Sequence, residues 1–367
     1  MDEAALLGVD SSDLPAVREK FTAAEYRGRE YEYLGRPTHG IERGTVRMEE
    51  TLVRGYPSTP RVLMIDPGVP RFFDGEIAIE EKLNGYNVRI AHVGEPLAFT
   101  RGGHVCPFTT RVARDELNLE GFFADHPEKM LCAEFVGPAN PYTAHEYDVD
   151  GLEARIFDIR HRETGRPVTV TRRRELARRY GFQQPELFDI ESPDAAVEVI
   201  KETIRNLDAE QREGVVMQSL DGRDLLKYTT SYQHASDLAM AFSLPFDYGQ
   251  DFLFSRLIRE GFQAVEFEDS EAELRERAHD LGEAILEPMV ETIEAVRDDE
   301  PVGESHTIRG SPDAIAELLS HFEEQGLSIE VKADRREGEE RIVELLKRSD
   351  QTRDKVGHFL DGGTIDQ

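Results

Sequence analysis

IAIEEKLNGYNVRI, residues 77–90, is the stretch that decides the predicted fold of this chain. Apolar and polar residues alternate on both sides of its centre, which is the period of two expected of half-buried strands. Asn84-Gly85 at the centre favours a tight two-residue turn. The stretch therefore predicts an antiparallel hairpin with Lys82 at the end of its first strand, beside a glycine that admits close approach to the backbone. An ordinary hairpin with a surface lysine is the plain alternative.

The composition indicates a large, acidic and folded chain. Its 367 residues suffice for two or three domains, and 74 acidic against 44 basic residues give a net charge of −30. Only eight of the basic residues are lysines. This pattern is typical of halophiles that accumulate salt, because a screening length of about 3 Å at 1 M salt makes the self-repulsion tolerable. Such acidity is also typical of disordered chains, but the apolar fraction and the long periodic segments indicate a folded protein.

Cysteine usage and hydropathy favour a cytoplasmic protein with no membrane partner. Cys106 and Cys132 are too few for a zinc cage or a disulfide framework, suit a reducing compartment, and are expected to pack in the core. No apolar run approaches the ~18 residues of a spanning helix. The first residues also lack the basic start of a signal peptide.

Three further predicted strands each carry one side chain that suits a nucleotide site. Arg101 follows a short strand and precedes two glycines, which allow close backbone approach. Glu134 lies within a mostly apolar run, where an unpaired carboxylate is costly, so a metal, an arginine or a ribose hydroxyl should partner it. Phe157 lies on the next strand. The plain alternatives are a solvated arginine, an outward-facing glutamate and a core phenylalanine.

A second hairpin is predicted around Asp221-Gly222. It joins EGVVM, residues 213–217, to LLKYT, residues 225–229. Glu213 lies at the start of one strand and Lys227 lies late in the other. Each residue alone is well explained as a surface charge, so the pair gains meaning only from its order along the chain.

Arginines are concentrated between residues 155 and 179. Nine arginines stand there against three acids, a local charge of +6. A solvated helix face is the usual explanation, but the contrast with the acidic remainder favours a polyanion such as RNA or a triphosphate. Arginine suits phosphate because its guanidinium binds in bidentate fashion. The expected nucleic-acid contacts are Arg160, Arg162, Arg172, Arg173 and Arg174.

Six of these residues resemble, in the same order, motifs of the covalent nucleotidyltransferases, the superfamily of ligases and mRNA capping enzymes. K-x-x-G-x-N in place of K-x-D-G-x-R resembles an RNA-ligase branch. EEKLNGYNVRI, TRGGHVCPFTT, EFVGPANPY and LKYTTSY closely resemble the archaeal homodimeric ATP-dependent RNA ligases. The resemblance covers roughly residues 60–235 and extends more loosely to both ends. The six residues are Lys82, Arg101, Glu134, Phe157, Glu213 and Lys227.

The resemblance implies an α+β protein and a domain order. Residues 61–235 would form a nucleotidyltransferase (ATP-grasp-like ligase) domain of antiparallel sheets with flanking helices. Residues 1–60 form a leading N-terminal module, and residues 236–300 form a helical region that would make a homodimer. Short predicted strands and a helix in residues 301–367 indicate a small α+β C-terminal domain.

The reaction implied by the resemblance uses ATP and Mg²⁺, with Mn²⁺ also possible. The lysine attacks ATP, AMP passes to an RNA 5′-phosphate, and an RNA 3′-hydroxyl then displaces AMP. Since a lysine of ordinary pKa, about 10.4, is protonated near neutrality, desolvation and nearby cations must favour its neutral form. By resemblance, Lys82 is the nucleophile, Glu80 reads adenine, Phe157 stacks on it, Arg101 contacts the nucleotide, Asn87 and Lys227 hold phosphates, and Glu134 and Glu213 bind the metal ion.

Other functions remain open at this point. A non-catalytic RNA-binding relative would keep the arginines and lack the lysine and metal set. A DNA ligase or capping enzyme would be expected to show K-x-D-G-x-R and a C-terminal OB-fold, which the helical tail disfavours. One departure from the family concerns its K-x-K motif, because here Thr229 stands two residues after Lys227.

Overall fold

The structure, a computed structural model, describes residues 3–143, 147, 149 and 151–365. These residues form fifteen strands, paired antiparallel in four sheets, and twelve helices. The strands are β1 (Phe21–Tyr26), β2 (Arg29–Leu34), β3 (Val46–Met48), β4 (Thr51–Val53), β5 (Ile77–Lys82), β6 (Tyr86–Val93), β7 (Glu95–Thr100), β8 (Lys129–Val136), β9 (Glu153–His161), β10 (Leu187–Glu191), β11 (Gly214–Ser219), β12 (Leu225–Thr229), β13 (Gly303–Gly310), β14 (Ile329–Glu337) and β15 (Glu340–Arg348). The helices are α1 (Glu3–Leu7), α2 (Leu14–Arg18), α3 (Ile65–Phe72), α4 (Pro107–Glu116), α5 (Leu119–Asp125), α6 (Val170–Tyr180), α7 (Pro193–Ala209), α8 (Ser231–Ser243), α9 (Gln250–Glu266), α10 (Glu271–Arg297), α11 (Pro312–Glu324) and α12 (Asp350–Leu360).

Two four-stranded sheets form the centre of the molecule. Their strand orders are β10-β5-β11-β12 and β7-β6-β8-β9. Alternation along β5 places Ile77 and Ile79 in a core with residues of α3 and α7. The same alternation turns Glu80 and Lys82 to the opposite face of the sheet.

The stretch that decides the fold is not a hairpin. β5 and β6 belong to different sheets, and neither Asn84 nor Gly85 has a positive φ, so the predicted two-residue turn is wrong. Gly85 is needed for a different reason: a Cβ atom there would lie 2.2 Å from the carbonyl oxygen of Phe135. The chain therefore passes from one sheet to the other at a point of close backbone contact, directly after Lys82.

The second predicted hairpin is confirmed. β11 and β12 are adjacent and antiparallel, and Gly222 has a φ of +81° in the turn between them. Glu213 immediately precedes β11, and Lys227 lies on β12.

The sheet of order β1-β2-β3-β4 covers one face of the β7-β6-β8-β9 sheet. Tyr31, Val46 and Met48 from the first sheet share a core with Phe99 and Met130 from the second. This packing brings the loops between the early strands next to the end of β7.

Helices dominate the chain after β12. α8 packs against α9 and α10, and the sheet of order β13-β15-β14 then packs with α11. Cys106 and Phe108 share a core with Ile308, Leu318 and Phe322, which attaches this last sheet to α4. Both cysteines are free and buried, as predicted. Within the described residues, no helix is long and apolar enough to cross a membrane.

Candidate active site

A cavity lies between the two central sheets. On one wall, Glu80 and Lys227 flank the same β11 residue, Val216, from opposite sides. On the other wall, Asn87 of β6 pairs with Glu134 of β8. Seven predicted site residues line the cavity: Glu80, Lys82, Asn87, Arg101, Glu134, Phe157 and Lys227. Other lining residues were not predicted from the sequence, among them Tyr56, Thr59, Pro185 and Gln218.

Lys82 forms an ion pair with Glu213, the eighth predicted site residue. Their Nζ and Oε2 atoms are 2.6 Å apart, and the side chains are 22% and 10% exposed. The register explains the contact, because Lys82 lies opposite Gly214, the residue after Glu213. Burial raises the pKa of Glu213, and the nearby Lys82 ammonium opposes that rise.

Glu134 lies on the wall formed by β6 and β8. Burial raises its pKa to about 7, Lys82 counteracts the rise, and Glu213 adds to it. The Asn87 amide is 3.5 Å from the Glu134 carboxylate, while the Asn87 Oδ1 atom is buried with no hydrogen-bond partner in the described part of the chain. Two oxygen donors thus lie side by side with coordinating capacity unused.

Lys227 is a desolvated cation on the opposite wall. Burial lowers its pKa to about 8, and repulsion from Lys82 and Arg61 adds to the effect. Arg61, which sequence analysis missed, donates from Nη1 to the Thr229 hydroxyl at 2.5 Å. A guanidinium therefore lies beside Thr229, two residues after Lys227. No local pattern marks Arg61, because its partner is far away in the sequence.

Phe157 lies at an irregularity of β9. The pairing of β8 with β9 shifts between Cys132 and Ala133, and Phe157 is the extra residue at that bulge. Its ring meets Tyr56 edge-to-face, with centroids 5.1 Å apart. Two aromatic side chains therefore line one end of the cavity, where a flat base could be bound.

Glu80 is held by two arginines of α6. Arg173 donates to both carboxylate oxygens, at 2.5 and 2.6 Å, and Arg174 donates to one of them at 2.6 Å. Arg173 also contacts the Phe157 carbonyl oxygen and donates to Gln218 at 3.0 Å. The Arg173 side chain is only 2% exposed. It therefore ties together three strands around the cavity.

The structure corrects the predicted nucleic-acid contacts. Arg160 and Arg173 are buried, so neither offers a guanidinium at the surface. Arg174 donates to Glu80 and its side chain is 16% exposed, so its contact with nucleic acid stays a prediction. Arg160 is held by Asp158 at 2.6 Å. The local +6 is partly neutralised by carboxylates from other parts of the chain, which a count along the sequence does not include.

The other two predicted contacts are more accessible. Arg162 is 20% exposed, donates to the His92 carbonyl oxygen and lies 3.6 Å from Glu163. Arg172 is half exposed on α6 and pairs with Glu175 at 3.2 Å. For these two arginines, contact with nucleic acid stays a prediction.

A divalent ion fits the donor set of the cavity. The described residues contain no cluster of three or more His, Cys, Asp or Glu side chains that could hold a metal alone. Mg²⁺ is usually bound by one or two carboxylates together with water and substrate phosphates. Glu134, the free Asn87 Oδ1 and Glu213 offer such a partial set.

The comparisons with known proteins agree with this geometry. A family model for RNA ligase matches residues 75–229, and one for the ligase Pab1020 C-terminal region matches residues 240–363. An uncharacterised protein of Methanocaldococcus jannaschii is 41% identical over 338 residues, covering 88% of this chain and 85% of its own. Two solved structures of an archaeal ATP-dependent RNA ligase, form 2 and form 1, are each 39% identical, with TM-scores of 0.92 and 0.91. Each match covers 99% of this chain and 98% of the other.

The chain belongs to the archaeal ATP-dependent RNA ligase family. The family predicted from the motifs is confirmed, and so is the α+β fold of antiparallel sheets with flanking helices. A putative ATP-dependent DNA ligase from Aquifex aeolicus, at 24% identity, has a TM-score of 0.89 over 97% of this chain and 99% of its own, so the fold extends beyond the RNA ligases.

Proposed function

We propose that this chain is an ATP-dependent RNA ligase that works through a lysyl-AMP intermediate. The observation that carries the proposal is the position of Lys82, whose Nζ lies in the cavity 2.6 Å from Glu213. Lys227 and Arg101 line the same cavity and provide positive charge for phosphates. An amine nucleophile, a carboxylate and two cations around one cleft suit attack on the α-phosphate of ATP.

In the first step, the Lys82 amine attacks the α-phosphorus, a P–N bond forms and pyrophosphate leaves with the electron pair of the broken P–O bond. Lys82 must first lose a proton. Water in the cavity would accept this proton, because we propose that the Glu213 carboxylate, at hydrogen-bond distance from the amine, holds the metal ion. Lys227 and Arg101 stabilise negative charge that spreads over the phosphates during transfer.

The next two steps join the RNA ends. A 5′-phosphate oxygen attacks the lysyl-AMP, which frees the Lys82 amine and forms an RNA adenylate. A 3′-hydroxyl then attacks the 5′-phosphorus, AMP leaves and a phosphodiester remains. When bound, Mg²⁺ or Mn²⁺ would supply charge neutralisation at the phosphates. Glu134, Asn87 and Glu213 are the residues we propose to hold it.

The same cavity would also bind the adenine of ATP. Phe157 and Tyr56 offer aromatic surface, and Glu80 offers a carboxylate near the wall. Since Arg173 and Arg174 already donate to Glu80, we propose that they fix its orientation toward the exocyclic amine of adenine.

Covalent labelling tests the proposal. The protein is incubated with Mg²⁺ and ATP labelled at the α-phosphate, and label that survives a denaturing gel is compared between wild type and Lys82→Ala. We expect label on the wild type alone, and its release by a 5′-phosphorylated RNA with a 3′-hydroxyl. Absence of label on folded, AMP-free wild type would contradict the mechanism. Faster release by DNA ends than by RNA ends would favour the DNA-ligase alternative.

The proposed homodimer would use the helices after β12. α9 and α10 expose several large apolar side chains in the single chain, a pattern that marks interaction surfaces. Sedimentation of the wild type should give twice the mass of one chain. The double variant Phe254→Glu, Leu286→Glu should give the mass of a single chain. A monomeric wild type would contradict the homodimer. The most exposed of these side chains are Phe254, Val265, Leu274, Leu286 and Val290.

Besides Arg162, the exposed arginines of α6 are candidates for RNA contact. Arg172, Arg178 and Arg179 lie on the outward side of this helix. We propose that they contact backbone phosphates, since arginine binds phosphate even at raised ionic strength. Replacing all three with Ser should weaken RNA binding more than reaction with ATP. Equal losses in both would contradict an RNA surface.

A further inference from the structure

Two arginines that have no ion pair or hydrogen bond within the described residues lie on two loops that contact each other beside the cavity. Arg101 is exposed at the end of β7 and lines the cavity, and Arg43 is exposed in the loop between β2 and β3. Across the described residues, neither side chain makes an ion pair or hydrogen bond. A Cβ atom on Gly102 would lie 3.7 Å from Arg43 Nη2, so the Arg43 guanidinium is next to the residue that follows Arg101.

The two loops that carry these arginines are locked together through glycines. Gly44 has a φ of +81°, and a Cβ atom there would lie 2.3 Å from the Arg101 carbonyl oxygen. Gly103 has a φ of +97°, and its Cβ atom would lie 3.1 Å from the Gly44 Cα. Backbone therefore packs directly on backbone, and neither loop can shift without the other.

A third arginine, Arg89, donates hydrogen bonds to the backbone of both loops. Arg89 of β6 is fully buried and donates from Nη2 to the Gly44 carbonyl oxygen at 2.8 Å and to that of Thr100 at 2.9 Å. Its Nη1 donates to the Arg54 carbonyl oxygen at 2.6 Å. One guanidinium thus fixes the backbone of the loop before β3 and of the loop after β7, so the positions from which Arg43 and Arg101 extend are preorganised.

The charge arrangement points to an anion. In a chain of net charge −30, most of the described arginines pair with carboxylates, and these two, on contacting loops, do not. The nearest carboxylate along the chain, Glu42, is taken by Arg54 at 2.6 Å. A phosphate within reach of both guanidinium groups would supply the negative charge that neither receives from the described residues.

We propose that Arg43 joins Arg101 in a phosphate-binding site at the opening of the active-site cavity. The ligand is a phosphate oxyanion, supplied either by the β- and γ-phosphates of ATP or by the RNA backbone. This proposal rests on the proposed ligase function for the meaning of the site, although anion binding itself needs no catalysis. Arg89 is a positioning residue in this arrangement and does not touch the ligand.

The test compares Arg43→Ala with a matched control, Arg71→Ala. Arg71 is also exposed and without a partner in the described chain, but it lies on α3, which packs against the sheet face away from the cavity. Binding of inorganic pyrophosphate is measured by calorimetry at low salt for both variants and wild type. We expect about tenfold weaker binding for Arg43→Ala and no change for Arg71→Ala. Arg43→Lys keeps the positive charge but loses the bidentate guanidinium, so its affinity for pyrophosphate should lie between those of Arg43→Ala and the wild type.

Two kinetic arms then identify the source of the phosphate. A slower formation of lysyl-AMP by Arg43→Ala would assign the site to the ATP phosphates. A slower transfer of AMP from pre-labelled enzyme to RNA would assign it to the RNA backbone. If Arg43→Ala behaves as Arg71→Ala in binding and in both arms, the proposal is overturned. A wild type that binds pyrophosphate but forms no lysyl-AMP would instead contradict the ligase mechanism, so the two failures are distinguishable.

Discussion

Arg173 of α6 donates two hydrogen bonds to the carboxylate of Glu80 on β5, and both side chains are buried. The same guanidinium reaches the Phe157 carbonyl oxygen and the Gln218 side chain. One arginine therefore connects a helix with strands of both central sheets. Its position makes it a support of the end of the cavity where Glu80 and Phe157 lie, not a surface contact for RNA.

Replacing Arg173 with Met should destabilise the fold strongly. Methionine keeps much of the apolar stem, but it leaves the buried Glu80 carboxylate with Arg174 as its only charged partner among the described residues. Breaking a buried ion pair typically costs about 3–5 kcal/mol. The control Arg172→Met removes a half-exposed partner of Glu175 and should cost less than about 1 kcal/mol. Urea unfolding of both variants measures the loss in free energy of unfolding. A loss for Arg173→Met as small as that for Arg172→Met would show that the Arg173 contacts are unimportant for stability.

The motif residues were predictable because their chemistry is local. Apolar alternation around Lys82 and Lys227 already places these side chains on one face of a strand, and seven of the eight predicted site residues do line one cavity. Their order along the chain then identified the family. Domain boundaries, the homodimer, the halophilic origin and the cytoplasmic location stay predictions.

Features that depend on distant partners were not predictable from single residues. The Asn84-Gly85 dipeptide favours a turn locally, but β5 has β10 and β11 as its partners and β6 has β7 and β8, so pairing with these strands overrides the turn propensity. Arg61 and Tyr56 carry no local signal. The buried arginines were misassigned because a charge count along the chain does not include Glu80.

Lys227 should give the adenylation reaction a falling limb near pH 8. Its pKa is lowered to about 8, so the ammonium that would hold the phosphate is present below that pH and is lost as the pH rises through it. Arginine stays charged in the same range, so Lys227→Arg should lack the limb up to pH 10. The measurement is the rate of lysyl-AMP formation at limiting ATP, which reports groups of the free enzyme. A wild-type rate that keeps rising through pH 9 would exclude this role.

Replacing Glu134 with Gln should stabilise the metal-free protein at alkaline pH. The folded-state pKa of about 7 lies above the ordinary glutamate pKa of 4.5, so the folded state binds more protons and its stability falls as the pH rises through this window. Above pH 7 the ionised carboxylate costs up to about 3 kcal/mol, which the amide avoids.

Urea unfolding at pH 5 and pH 8, with chelator present, measures this difference for Glu134→Gln. The gain over wild type should be small at pH 5 and larger at pH 8. Glu116→Gln, which replaces an exposed glutamate at the end of α4, is the control and should show the same difference at both pH values. A gain for Glu134→Gln that does not depend on pH would mean that burial of this carboxylate is not the cause.

Replacing Gly85 with Ala should damage both the fold and the chemistry. The added Cβ would lie 2.2 Å from the Phe135 carbonyl oxygen and 2.9 Å from Val136 Cγ1, so strand β8 or the crossing segment must move. Overpacking of this kind costs about 1–3 kcal/mol. Because Lys82 precedes this crossing and Glu134 precedes Phe135, the movement changes their relative position. A displacement of about 1 Å can cost on the order of a hundredfold in rate.

Gly75→Ala is the matched control for this crossing, because Gly75 has no neighbouring atom within 4 Å of an added Cβ and no positive φ. It should leave unfolding by urea and lysyl-AMP formation unchanged. Gly85→Ala should lower the unfolding midpoint and slow lysyl-AMP formation beyond what the loss of folded protein explains. If Gly85→Ala loses only stability, the crossing supports the fold without setting the position of Lys82 against Glu134. If Gly85→Ala matches Gly75→Ala in both measurements, close backbone contact at Gly85 does not fix the two central sheets relative to each other.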